Sequence, residues 1–364
     1  MTVPAQRVYL DLTHLGRHVT GIERIAIDLF EKAHFDNADM RAIRSTGLVS
    51  MILKQQLLIP LLALLHPRAA FVFPGFPPSP LMVLARRRVL LYVHDLFLVN
   101  RRQDLGLKAK FYLAWPFRLA VTRLQRFFVN SVKTLNELQP FTAADAEIAL
   151  YRPAVANVFG LDAARATAGA VSASEPLRLL AVGTVEPRKN YAYAVRIRAE
   201  LERVLARPVE LHIVGRPGWG GEAERLASEP GVVMHGYMPL ADARRIIEGA
   251  DVYLCTSHDE GLGLPLLEVQ YAGLPVVAPD QVVFREVLGD SGTFIPQGDA
   301  AHAAAIIQAL LADDAWHAKA RDAAIANLQR WNGAATDDAE RARRTFSRAQ
   351  RGHVPVPGTA ISHG

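Results

Sequence analysis

Two glutamates, a cationic pair and a histidine stand where this chain could place chemistry. Glu260 and Glu268 lie eight positions apart in the stretch Ser257–Pro279, SHDEGLGLPLLEVQYAGLPVVAP. A carboxylate does not bind phosphate, but it accepts charge-assisted hydrogen bonds from vicinal hydroxyls. Between the two acids, Gly261-Leu262-Gly263-Leu264 turns into a short helix from about Pro265 to Ala272. The amides and dipole of a helix start favour an anionic group. Hydroxyls for the acids and a diphosphate for the amides are the two halves of a sugar nucleotide. The plainer alternative is a helix-end charge beside a solvated loop acid. A second glycine turn, Gly183-Thr184, leads to Arg188 and Lys189. There an arginine fork and a lysine point charge can neutralise a diphosphate, unless both are ordinary surface charges.

These residues need strands and turns to hold them. Asp251–Thr256 is short, apolar and β-rich, and Leu274–Ala278 is the next such run, so the glutamates fall inside a βαβ unit. Proline suits the first helical position and Gly273 the residue past the end. In open α/β sheets, ligands bind outside the carboxyl ends of the strands. Val89–Val93 ends at His94, which puts that histidine either at such an end or in a structural role. Arg7–Leu12 reads as the first strand. Gly21 follows after a loop and opens a helix whose Thr20 and Glu23 have capping-box spacing. Further strands are expected at Ala70–Phe73, Glu147–Leu150, Leu177–Val182, Val209–Val214, Val232–His235 and Gly292–Ile295. Helices are expected at Leu240–Glu248, across Ala301–Arg330 and at Ala335–Gln350. Alternating strands and helices of this kind make parallel sheets.

The stretch from Ser257 resembles the signature of the family-4 retaining glycosyltransferases, and GLPVVAP, Phe284-Arg285-Glu286-Val287 and Gly289-Asp290-Ser291-Gly292 continue the match. The resemblance is close over residues 180 to 300 and weaker over 8 to 140. It implies the GT-B fold, two Rossmann-like α/β domains facing across a cleft, with the nucleotide sugar held mostly by the second. It further implies that Lys189 meets the diphosphate, with Arg188 supplying a charge that many members carry where this chain has Thr184. Glu268 would take the ribose hydroxyls. Glu260 would lie near the transferred sugar. His94 would contact that sugar or the acceptor, Gly21 would stand in for a paired glycine facing the donor, and Arg216 would neighbour the base or phosphate. The implied reaction moves a hexose, mannose first among the guesses, from a nucleotide diphosphate to a glycan or lipid-linked acceptor. The setting is bacterial surface polysaccharide assembly, with no metal or cofactor needed. An inactive sugar-nucleotide-binding subunit is the competing reading. A nicotinamide dehydrogenase fits poorly, because no strand leads into a spaced three-glycine fingerprint followed by a ribose-binding acid.

Composition sets the bounds. The 364 residues allow two domains, expected at 1–172 and 173–334, joined through an Ala/Gly/Ser/Thr linker over 163–175. The segment 335–350 would cross back to the first domain and 351–364 would be loose. Half the residues are apolar and the formal charge is +5, mild but suited to anionic ligands. The one cysteine, Cys255, reads as a core residue, with no disulfide framework or zinc site. The start lacks a secretory pattern, and the apolar run Gln56–Leu65 is about half of the ~20 residues that span a bilayer. The cytoplasm is therefore the expected compartment. The segment Leu107–Val129 mixes Phe111, Tyr112, Trp115 and Phe117 with Lys108, Lys110, Arg118, Arg123 and Arg126. With Arg86-Arg87-Arg88 and Arg101-Arg102 it reads either as a surface for anionic lipid at the inner membrane face or as a solvated basic face over core aromatics. Pro116 is expected to break or kink that helix. No module accompanies the charge that would indicate nucleic acid.

Overall fold

A computed structural model describes residues 5–15, 21–32, 35, 38–100, 110–163 and 175–350. Thr20 of the expected capping box, Arg101-Arg102, Lys108, most of the linker and the tail 351–364 lie outside the described residues. The chain divides into two compact units. The first comprises Met1–Asn130, Glu137–Pro153 and Thr336–Gly364, and the second Ser131–Asn136 and Ala154–Ala335. Composition alone puts the division near residue 172. Contacts put it at Pro153, because Val155 and Leu161 are buried in the apolar core of the second unit.

The first unit carries six parallel strands, β1 (Gln6–Leu12), β2 (Ala38–Arg44), β3 (Ala70–Phe73), β4 (Val89–Val93), β5 (Arg126–Val129) and β6 (Glu147–Leu150). Their order is β2-β1-β3-β4-β5-β6, so the winding direction reverses between β1 and β3. Apolar side chains run almost without interruption along β3 and β4, as they must in strands covered on both faces. Aromatic residues fill the core: Phe30 meets Tyr92 and Tyr151 edge-on with centroids 5.5 Å apart. The tyrosine hydroxyls stay satisfied, Tyr92 donating to Tyr151 O at 3.0 Å and Tyr151 to Leu29 O at 2.7 Å.

The apolar run at Gln56–Leu65 is part of something longer. One continuous helix occupies Leu48–Leu65, 18 residues of mean hydropathy 1.9. Lys54, Gln55 and Gln56 interrupt the run in the sequence, but the helix turns Gln55 into the core, so they do not end it. Pro116 neither breaks nor ends its helix. It sits at the junction where the π-helical stretch Lys110–Ala114 passes directly into Trp115–Arg123, and a π-helical turn is one way a helix absorbs a residue that lacks an N–H. Phe117 is buried and Trp115 exposed, so the aromatics of that segment are divided between core and surface.

The second unit holds β7 (Leu177–Val182), β8 (Val209–Val214), β9 (Val232–Gly236), β10 (Val252–Leu254), β11 (Val276–Pro279) and β12 (Gly292–Ile295). All pairings are parallel, in the order β12-β11-β10-β7-β8-β9. Counted from β7, this is the 3-2-1-4-5-6 order of a doubly wound dinucleotide fold, and its switch point lies between β7 and β10. A single helix runs over Trp316–Gln350, where the sequence suggested two. Its residues from Thr336 on group with the first unit.

Candidate functional site

The two strands that flank the switch point of the second unit send out the two loops singled out by the sequence. The β7 loop turns through Gly183, whose φ of +146° lies in the left-handed region that favours glycine. A Cβ there would meet Lys189 Cε at 3.2 Å and Nζ at 3.3 Å, so the missing side chain lets the lysine fold back over the turn. The β8 loop locks against it. A Cβ on Gly215 would fall 1.8 Å from Gly183 O, and Val185 N donates to Arg216 O at 3.0 Å. Thr184 and Arg216 are thus neighbours in this turn, and among the described residues no side-chain hydrogen bond holds the Arg216 guanidinium. A short 3-10 turn, Pro187–Lys189, then presents both cations, and Asn190 in the left-handed conformation opens the helix Tyr191–Leu205.

The β10 loop delivers Glu260 to those cations. Lys189 Nζ donates to Glu260 Oε1 at 2.6 Å and Arg188 Nη1 to Oε2 at 2.6 Å, while Ser257 Oγ donates to Oε1 at 2.8 Å. Glu260 is 7 % exposed. Burial pushes its carboxyl up, and Lys189 followed by Arg188 more than offsets that, holding it at about 2. It is a carboxylate at neutral pH and no source of protons. Arg188 is also held by Glu186, through Nε at 3.1 Å and Nη2 at 2.9 Å, and by Asp259 O through Nη1 at 2.9 Å. The arginine is therefore largely engaged inside the protein. Lys189 gives one of its three ammonium hydrogens to Glu260, which leaves it the better placed of the two to meet a further anion.

Gly263 takes the left-handed conformation at φ +83° and caps the helix Leu264–Glu268, with Pro265 in its first turn. Leu262 packs into the core. Gly261 O accepts from Ser131 Oγ at 2.9 Å. The segment holding that serine is itself anchored, since Glu286 takes the Val132 and Lys133 amides at 2.7 and 3.1 Å, and Lys133 Nζ reaches Asp259 at 2.6 Å and Glu260 O at 3.2 Å. Glu268 ends the short helix and is buried. Gly273, with φ +71°, closes the 3-10 turn that follows.

The first unit places His94 at the end of β4, as the strand pattern indicated. Its Nε2–H donates to Pro74 O at 2.7 Å, and burial holds its pKa down at about 4, so the ring is neutral. Gly21 opens the helix Gly21–Ala26 and is exposed, with nothing within 4 Å of where a Cβ would stand. Sterics there do not demand glycine.

The residues that sequence reasoning missed are supporting ones. Ser257 and Glu186 stand three and two positions before Glu260 and Arg188, close enough for their loops to have pointed to them. His14 was also missed. It lies past β1 at the switch point of its own sheet, stacked on Phe76 at 5.3 Å, and both ring nitrogens are buried without a hydrogen-bond partner among the described residues. The close approach of Gly75 that makes room for it leaves no local signature. No group of three or more His, Cys, Asp or Glu among the described residues is arranged to hold a metal ion.

Comparison with known proteins agrees with this geometry. Residues 176–313 match the family model for glycosyl transferases group 1. The chain is 33% identical over 170 residues to an O-antigen chain mannosyltransferase B of Escherichia coli, a match covering 43% of each protein. It is 37% identical over 140 residues to a phosphatidyl-myo-inositol mannosyltransferase of Mycolicibacterium smegmatis, covering 35% of this chain and 34% of the relative. The chain thus spans less than half the length of these curated relatives. Among solved structures, Anabaena Alr3699/HepE in complex with UDP-glucose superposes with a TM-score of 0.68 at 15% identity, over 94% of this chain and 99% of that one, which establishes a common fold. With its signature turn, its switch-point site and its parallel six-stranded sheet, the segment 176–313 matches the glycosyl transferases group 1 family in sequence and in geometry.

Proposed function

We propose that this chain is a retaining glycosyltransferase that moves a hexose from a nucleotide-diphosphate sugar to a glycan or lipid-linked acceptor in bacterial surface polysaccharide synthesis. The observation that carries the reading is the Lys189–Glu260–Arg188 cluster at the switch point of a 3-2-1-4-5-6 sheet. A doubly wound sheet binds nucleotides at that point. Lys189 meets the diphosphate with its remaining donors and stabilises the charge that grows as the glycosidic C–O bond breaks. Arg188 holds Glu260 and the loop in place. Glu268 takes the ribose hydroxyls, and the one acceptor site of the Glu260 carboxylate that Lys189, Ser257 and Arg188 leave over serves a hexose hydroxyl. The acceptor attacks from the face that the diphosphate leaves, which retains configuration. The mannosyltransferase relatives favour mannose, and a GDP-sugar is the first donor to try. The reaction needs no metal in this reading and takes place at the cytoplasmic side of the membrane.

Turnover separates this reading from that of an inactive binding subunit. Full-length protein incubated with GDP-mannose, other GDP- and UDP-hexoses and a bacterial lipid extract should release nucleoside diphosphate and yield a glycosylated lipid or glycan with the α-configuration of its donor. Tight nucleotide binding without release, for any acceptor offered, would favour the inactive subunit.

A further inference from the structure

The Leu48–Leu65 helix of the first unit is apolar on two faces. Met51, Gln55, Ile59 and Ala63, each four positions after the last, are buried. Gln55 fastens that face: its amide donates to Thr13 Oγ1 at 2.9 Å and Asp11 Oδ2 at 3.2 Å, and its carbonyl accepts from Tyr112 OH at 2.9 Å. The other face is bare. Val49 is 70% exposed and Leu64 75%, and Leu57, Leu61 and Leu65 are each half-exposed or more. Leu81 and Leu84, the latter 85% exposed, are bare as well, on the 3-10 helix Pro80–Arg88. Arg88 clasps the two helices together, donating to the carbonyls of Ala63, His66 and Ala69 at 3.0–3.2 Å. Single exposed leucines are normal, but a joined run of them marks an interaction surface.

Charge says what kind of surface it meets. Between Met40 and His94 the sequence has no aspartate or glutamate, while the cations Lys54, Arg68, Arg86 and Arg87 lie on the leucine helix, just past its end and on the 3-10 helix clasped to it. We propose that this leucine face, rimmed by those cations, docks on the anionic surface of a lipid bilayer. The helix lies in the plane of the interface. It cannot cross the bilayer, because its Gln55 side is bound into the domain, and leucines in the acyl boundary with cations at the headgroups are how an interfacial helix binds. A second copy of the chain is a poorer occupant, since apposing the faces would bring rims of like charge together. The surface gives a place in the structure to the membrane-side setting proposed above, and rests on that reading only for why the protein works there.

The test uses the full chain and sedimentation with vesicles of phosphatidylcholine alone or with phosphatidylglycerol added. Wild type should bind the phosphatidylglycerol vesicles, and less as salt is raised. Leu61→Gln/Leu64→Gln/Leu84→Gln and, separately, Arg86→Glu/Arg87→Glu should each lower vesicle affinity at least tenfold. All three proteins should bind a nucleoside diphosphate equally in calorimetry, which shows that the variants are folded. No binding of wild type, equal binding of either variant, or no preference for phosphatidylglycerol would overturn the proposal. So would a dimer that the leucine variant alone dissociates while vesicle binding persists. If vesicles bind and no nucleotide does, the transferase reading fails and the docking surface stands; folding of the variants is then read from circular dichroism.

Discussion

Replacing Glu260 with glutamine probes the cluster most sharply, because the cost can be worked out in two ways. The carboxyl titrates at about 2 in the fold against an ordinary value of 4.5. With about 1.4 kcal/mol per pKa unit, the folded protein favours the charged form by about 3 kcal/mol. Removing one partner from a buried ion pair costs about 3–5 kcal/mol by a separate route, since the two cations lose their counter-ion. The two agree. A depressed carboxylate pKa contributes stability that is fully present above about pH 4.5 and is lost as pH falls towards 2; about half is gone by pH 3. Urea unfolding of wild type and Glu260→Gln across this range should show a gap of about 3 kcal/mol at pH 7 that closes on acidification. A gap below about 1 kcal/mol at pH 7, or one that does not narrow, would refute the ion-pair account. The same variant releases Lys189, so it should bind nucleoside diphosphate at least as tightly as wild type even though it is less stable.

Other expectations follow from neighbouring geometry. Gly215→Ala places a Cβ 1.8 Å from Gly183 O, so it should cost at least the about 1–3 kcal/mol usual for overpacking and abolish nucleotide binding. Gly21→Ala meets nothing within 4 Å and should unfold in urea like wild type; a marked loss would show that the Gly21 turn is tighter than described. His94 is held neutral at about 4 by burial, so it contributes stability present above about pH 6.5 and lost as pH falls towards 4. His94→Gln should flatten the stability curve in that window, and an unchanged slope would count against a buried neutral imidazole. Ser131→Ala removes a donor from Gly261 O and should cost about 1 kcal/mol in unfolding free energy.

Much of this was readable from the sequence, and where it was not the reason is physical. The runs Ala70–Phe73, Val89–Val93, Leu177–Val182 and Gly292–Ile295 are strands as expected, because short apolar segments between glycines and prolines have few other uses in an α/β chain. The strand β2 went unread. It is an edge strand, half-exposed and charged, and carries little of the apolar signal. The site residues were legible as types, and their pairing was not. Arg188 and Lys189 looked like a free dicationic cradle, but Glu260, about 70 positions away, neutralises one side of it. Nothing local in either loop encodes that contact; only the adjacency of β7 and β10 in the sheet does. The Leu48–Leu65 helix shows the same limit from the other side. Whether Gln55 interrupts an apolar face or anchors it depends on Asp11, Thr13 and Tyr112, all distant in sequence.

The central claim is that the switch point of the second unit binds a nucleotide diphosphate through Lys189, with Glu268 on its ribose. Calorimetric titration of GDP, UDP, ADP and dTDP into wild type, Lys189→Ala and Glu268→Ala tests it directly. One nucleotide should bind wild type in preference to the others. Each variant should weaken it by about tenfold to a hundredfold, the about 1.5–3 kcal/mol of a hydrogen bond to a charged group. If no nucleotide binds, or if both variants bind as wild type does, the site is not where this account places it.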